Sequence, residues 1–267
     1  MTNEQIFARL WRQYIEDNPV AQKVHDSFIN RGETVINDHI AFRTCNDPRV
    51  NIATLAKPFI QNGYRECGTY EFPVKKLLAK HYEHDNKDSP KVFISELLLE
   101  KCSQDLVRVI TASLDKISPA VLLNVELLFT GAPWQPLSYK TYQTLLAESE
   151  YAAWLYAYGF RANHFTVSVN ALKSFKEVHE LNTFLEKNGF ALNAAGGKVK
   201  GNPQEYLEQS STLAETKRVM FGNEEHAIPS CYYEFAKRYR LPNGKLFQGF
   251  VVTSADKIFE STDVLKK

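Results

Sequence analysis

The chain has 267 residues, 44% of them hydrophobic and 24% charged, and its 32 basic and 31 acidic residues leave a net charge of +1. That balance offers no electrostatic footing for nucleic acid or a membrane surface, and no stretch approaches the roughly 20 apolar residues of a membrane span. Such a chain can bury one large core or two small ones.

From the start, MTNEQIFARLWRQYIEDN lacks the continuous apolar run and cleavage site of a signal peptide. It predicts an amphipathic helix, with Ile6, Leu10, Trp11 and Tyr14 at helical spacing and a capping box from Thr2 and Gln5. Residues 1–34 are assigned to N-terminal helices. The four cysteines (Cys45, Cys67, Cys102, Cys231) form no CxxC motif, which fits reduced thiols in the cytoplasm better than a disulfide framework.

The next stretch, NDHIAFRT, reads as a buried strand carrying a histidine and an arginine. Side chains alternate along a strand, so His39, Ala41 and Arg43 share one face. A metal-competent imidazole and a fixed positive charge therefore stand together. Arg43 has a plainer use as the buried ion-pair partner of an acid such as Asp38 or Asp47. A helical pattern (NIATLAKPFIQ) follows, then NGYRECGTYEF, the polar stretch HYEHDNKD, expected to be exposed, and KVFISELLLE. This unit spans 35–101. Residues 102–159 read as a mainly helical insertion, with AVLLNVELLF ambiguous between helix and strand and GAPWQPLSY as a break.

The remainder, 160–267, echoes the first unit. ANHFTVSVN again sets a histidine after Asn or Asp at the head of an apolar strand, and LKSFKEVHELNTFLEK is again helical. Both helices end in Asn-Gly plus an aromatic residue, the glycine expected just past a helix C-terminus. His39 precedes Gly63 by 24 positions and His164 precedes Gly189 by 25. Each unit continues to a late strand with a central glutamate, Glu96 in one and Glu234 in the other. The fold class expected is α+β, two βαβββ modules pairing into a partly closed, barrel-like sheet around a cavity.

In that frame His39 and His164 hold equivalent positions facing the cavity, and Glu234 can supply a third ligand. Two imidazoles and a carboxylate on one side of an ion leave positions open and suit non-haem Fe(II). Each residue also has a structural use: a hydrogen-bonded histidine, or a glutamate paired with Lys237 or Arg238. Glu96 ranks as structural. No GxSxG, Walker loop or GxGxxG ahead of a helix is present.

The stretches DHIAFR, ANHFTVSVN, LEQSSTLA, YYEFAKR and GKLFQGFVVTSADKIFEST together resemble the 2-oxoadipate dioxygenase/decarboxylase (2-hydroxyglutarate synthase) family. The resemblance implies a vicinal-oxygen-chelate-like fold, with Fe(II) held by His39, His164 and Glu234 and substrate held by Arg43. It implies oxidative decarboxylation of a 2-oxo acid with O2, 2-oxoadipate to 2-hydroxyglutarate, in lysine degradation. The chain is shorter than that family's enzymes after Glu234, which bears on which acid is taken. Gln209, Ser210 and Ser211 are candidate pocket lining, or else a capped turn. A metal-dependent isomerase or lyase of the same fold, with Glu96 as acid–base group, and a non-catalytic metal-binding protein stay open beside this reading.

Overall fold

The computed structural model of the protein describes residues 1–253; the end of the GKLFQGFVVTSADKIFEST stretch lies outside the described residues. Helix α1 (Asn3–Asp17) opens on the expected capping box, with Thr2 accepting from the Gln5 amide and the Gln5 side chain accepting from Thr2 N–H. Helix α2 (Pro19–Asn30) starts on proline, whose missing N–H would have no partner in a first turn anyway. Ile6, Leu10 and Tyr14 of α1 and Ala21, Val24 and Phe28 of α2 form one-sided buried stripes.

The first module runs β1 (Asn37–Cys45), α3 (Ile52–Gln61), β2 (Arg65–Phe72), β3 (Leu77–Glu83) and β4 (Lys91–Leu97). Gly63 follows α3 at φ +93°, which a side chain would strain. The polar stretch expected to be exposed divides here: His81 is buried within β3, while the residues after Glu83 form a loop.

The insertion carries α4 (Gln104–Leu114), α5 (Pro119–Leu122), α6 (Tyr139–Glu148) and α7 (Glu150–Tyr158), and the ambiguous AVLLNVELLF resolves into α5 and a 3-10 turn. Every residue of α7 from Tyr151 to Tyr158 is buried, as expected of a helix apolar all round. Tyr151 ties it to the sheet by donating to the Ser95 carbonyl and accepting from the Thr44 amide.

The second module contains β5 (Ala162–Ser168), α8 (Val178–Lys187), β6 (Lys200–Asn202), β7 (Leu207–Ser211), an added hairpin of β8 (Thr216–Phe221) and β9 (Glu224–Pro229), and β10 (Glu234–Arg238). Helix α8 begins later than the periodicity predicts. The Glu33 carboxylate accepts from the amides of Lys173 and Ser174, which holds that segment irregular, and a Glu177–Glu180 capping box sets the start.

The eight strands of the main sheet run β2-β3-β4-β1-β5-β10-β7-β6, a curled half-barrel. β1 and β5 pair antiparallel at its centre, each flanked by a parallel partner. Its convex face carries the core: Phe42 against Phe59 of α3, Phe165 against Trp11 and Tyr14 of α1, and Phe235 against Phe28 of α2. Each such ring contributes roughly 1.5–3 kcal/mol by leaving water. No helix among the described residues is long and apolar enough to cross a membrane.

Register corrects one detail of the internal repeat. His39 pairs with Thr166 and Ala41 with His164, so the two histidines are related by an approximate twofold axis. Glu234 pairs with Thr166 as Phe93 pairs with Ala41. The counterpart of Glu234 is therefore Phe93, not Glu96. Glu96 serves α3 instead, accepting from the Ile52 amide.

Candidate metal centre

The concave face of the sheet collects His39 from β1, His164 from β5 and Glu234 from β10. Glu234 Oε1 lies 3.5 Å from His39 Nε2, and its Oε2 lies 3.4 Å from His164 Nε2. The donor atoms of all three lie within 4.8 Å of one another. The side chains are almost wholly withdrawn from water, with residue exposures of 3%, 4% and 0%.

Both imidazoles are oriented by the residue before them. His39 Nδ1–H donates to Asp38 Oδ1 at 2.8 Å, and His164 Nδ1–H donates to Asn163 Oδ1 at 3.0 Å. This fixes the tautomer that leaves Nε2 facing inward as a lone-pair donor. Asp38 is in turn gripped by Arg238, at 2.6 Å from Nε and 2.8 Å from Nη2. Burial alone would raise the Asp38 carboxyl, but Arg238 and the His39 hydrogen bond outweigh it and hold the group well below its ordinary range. Neither arginine nor lysine of the YYEFAKR stretch pairs with Glu234.

Burial pushes His39 down against the pull of Asp38, and pushes His164 well down with help from the fixed positive charge of Arg43. Both rings are neutral at pH 7. Burial also pushes the Glu234 carboxyl up to about 8, against a hydrogen bond from Gln209. Two neutral imidazoles and a carboxyl awaiting a cation are what a divalent ion requires. Glu234 Oε2 is buried with no hydrogen-bond partner among the described residues, an uncompensated acceptor that an ion would satisfy. The residues fit an N,N,O-bound dication with its remaining positions open.

Around the donors the wall is largely aromatic. Phe250 sits with its ring centroid 4.8 Å from both His39 and Phe93, and Tyr232 stacks on His164 at 4.8 Å. Gln209 donates to Glu234 Oε1 at 2.5 Å. Ser211 stands opposite Glu234 in register, and its buried hydroxyl has no partner among the described residues. Ser210 points the other way, donating to Asn182 of α8 at 2.7 Å, and so does not line the site. The hydroxyl of Tyr232, which sequence reasoning did not single out, is also buried and without a hydrogen-bond partner among the described residues. Its two-residue offset from Glu234 was the available signal.

Arg43 is 1% exposed and lies farther along the same face. Its Nη1 donates to Glu150 of α7 at 2.9 Å, and its guanidinium packs over Tyr151 and Trp154 at 4.9 and 5.1 Å. The acids expected as its partners are engaged elsewhere, Asp38 with Arg238 and Asp47 with Arg49. At the opposite end, a cavity of about 740 Å³ opens beside Asp38, lined by Lys91, Arg65, Arg240 and Lys245 together with Glu83 and Asp85.

A model of the 2-oxoadipate dioxygenase/decarboxylase family matches residues 7–122 and 120–248. The chain belongs to this family. Among its relatives, the chloroplastic/amyloplastic 2-oxoadipate dioxygenase/decarboxylase of Oryza sativa subsp. japonica is 34% identical over 96% of this chain and 78% of its own. A crystal structure of the hydroxyglutarate synthase from Oryza sativa in complex with 2-oxoadipate superposes with a TM-score of 0.91 at 32% identity, covering 98% of this chain and 93% of that one. A Shewanella frigidimarina protein, provisionally described as a hydrolase, superposes at 0.90 with 47% identity over 94% of this chain and 98% of its own. The fold alone is shared with a Ralstonia eutropha protein provisionally placed in the glyoxalase superfamily, at a TM-score of 0.74 and 22% identity over 93% and 85% of the two chains. That likeness matches the paired βαβββ modules of the family's half-barrel.

Proposed function

We propose that the protein is an Fe(II)-dependent dioxygenase/decarboxylase that converts 2-oxoadipate and O2 to 2-hydroxyglutarate and CO2, with His39, His164 and Glu234 as the iron ligands. The convergence of these three donors, in a chain of this family, carries the reading. A divalent iron held there would supply Lewis acidity and redox chemistry toward dioxygen at its open positions.

The protein's own groups prepare and orient. Asp38 and Asn163 keep both Nε2 atoms turned inward, and Gln209 fixes the Glu234 carboxylate. Phe93 and Phe250 keep bulk water from the His39 side. Arg43 lies four residues along the strand from His39, roughly 13 Å between Cα atoms for an extended chain. Its long side chain shortens that reach, so a dicarboxylic 2-oxo acid anchored by its oxo-acid end can present its distal carboxylate to the guanidinium. The planar fork matches a carboxylate, and Glu150 with the rings of Tyr151 and Trp154 holds it in place.

The atoms of one 2-oxoadipate and one O2 are those of one 2-hydroxyglutarate and one CO2, so no separate reductant is required. The isomerase alternative loses its acid–base group, because Glu96 caps α3 rather than facing the cavity. The four cysteines are unpaired, which suits work in a reducing compartment such as the cytoplasm.

A screen of 2-oxo acids with the Fe(II)-loaded protein tests the proposal. Oxygen uptake and CO2 release should occur one for one, fastest with 2-oxoadipate and poorly with monocarboxylic acids. Undiminished turnover without oxygen, or with Zn(II) alone, would move the protein to the isomerase class.

A further inference from the structure

A second constellation of donors lies on the first module. Strands β2 and β3 pair antiparallel, with a register shift between Glu66 and Gly68 that leaves Cys67 as the extra residue of a β-bulge. A bulge re-aims a side chain that regular pleating would send elsewhere. Here the thiol of Cys67 comes within 4.8 Å of donor atoms of His81 and Glu83.

The imidazole is already arranged as a ligand would be. His81 is 2% exposed. Its Nδ1 lies 2.9 Å from the Tyr70 hydroxyl, and its Nε2 lies 2.9 Å from Glu83 Oε1. One ring nitrogen is thus tied to an orienting partner while the other meets the carboxylate. Gly68 makes room for the ring: a Cβ there would sit 2.8 Å from both Cε1 and Nδ1 of His81. Cys67 itself is exposed, so a cation can enter from solvent and keep a water in a fourth position.

We infer that Cys67, His81 and Glu83 form a second metal site, for a thiophilic divalent cation of the zinc class. Thiolate, imidazole and carboxylate are all zinc donors, and sulfur favours zinc over the harder ions that oxygen sites select. Binding would exchange the thiol proton for the metal, and the thiolate and carboxylate together balance the ion's charge. The site is separate from the His39 cluster. The Phe250 ring stands between them, 4.8 Å from the His39 ring and 5.3 Å from that of His81.

Cobalt(II) is the probe, because a thiolate bound to it gives a near-ultraviolet charge-transfer absorption that nitrogen and oxygen ligands do not. Titrating the metal-free, full-length protein should raise this band to saturation within two Co(II) per chain, one for each cluster, and Zn(II) should displace it. The band should persist in Glu234→Gln and in Cys102→Ser. It should vanish in Cys67→Ser, and Glu83→Gln should weaken the binding at least about tenfold. Absence of the band from the wild type, or its survival in Cys67→Ser, overturns the inference. Either result leaves the iron reading untouched, since that site contains no sulfur.

Discussion

Arg43 Nη1 donates to Glu150 Oε1 at 2.9 Å, so the guanidinium on the concave face of β1 is held by the helix that closes that end of the sheet. An arginine needed only to neutralise a buried acid and one needed to receive a substrate carboxylate respond differently to substitution. For the second role, Arg43→Lys keeps the charge but loses the fork, and kcat/KM for 2-oxoadipate should fall about 30-fold. Arg43→Met should lose about 1000-fold, which corresponds to roughly 4 kcal/mol for a desolvated, charge-assisted contact. Iron content should be unchanged in both. Full activity in a folded Arg43→Met protein would show that the arginine serves Glu150 alone.

The ligand set makes a sharper demand. His39→Ala, His164→Ala and Glu234→Ala should each abolish stoichiometric Fe(II) binding, measured by metal analysis after anaerobic loading, with circular dichroism near wild type. His179→Ala and His226→Ala, on α8 and β9, should bind iron normally. An His164→Ala protein that retained a full equivalent of iron would remove His164 from the site.

The two histidines of the candidate site were legible in the sequence because they sit at matched places in a repeated module, where an Asn or Asp precedes each. That preceding residue proves to be the partner of Nδ1 in both halves. Glu96 and Glu234 share a residue type but not a register: the ladder pairs Phe93 with Ala41 as it pairs Glu234 with Thr166. Ser210 turns away for a related reason, since neighbouring strand residues face opposite ways and only Gln209 and Ser211 share the face of Glu234. The Arg43–Glu150 and Asp38–Arg238 pairs join residues more than 100 positions apart. No local pattern announces such pairs.

Tyr232 offers a test of the pocket wall. Its hydroxyl is buried without a hydrogen-bond partner among the described residues, and its ring stacks on His164. Removing an unsatisfied polar atom costs the fold nothing and relieves roughly 1–3 kcal/mol of desolvation. Tyr232→Phe should therefore melt at or above the wild-type temperature. If the hydroxyl meets the bound acid, kcat/KM should nevertheless fall about tenfold or more. A lower melting temperature with unaltered kinetics would mark it as a structural donor instead.

The last expectation concerns protons. Without a bound cation, burial pushes the Glu234 carboxyl from its ordinary 4.5 up to about 8. Between those values the folded protein holds a proton that the unfolded chain has released, so the metal-free fold loses stability as pH rises through the window. The two histidines act in the opposite sense. Burial holds both below their ordinary 6.5, so the unfolded chain binds the extra protons and stability rises with pH until about 6.5. From about pH 6.5 to 8 the Glu234 contribution stands apart from theirs, and the metal-free protein should weaken with rising pH. Metal uptake must expel that same proton, because the ligand is the carboxylate. At pH 7 each Fe(II) bound should therefore release about one proton, and apparent affinity should climb by about tenfold per pH unit before levelling near pH 8. Anaerobic calorimetry in buffers of different ionisation enthalpy counts that proton directly. Glu234→Gln should remove both the proton release and this part of the stability slope, and pH-independent iron uptake by the wild type between 6.5 and 8 would show that Glu234 is ionised before the metal arrives.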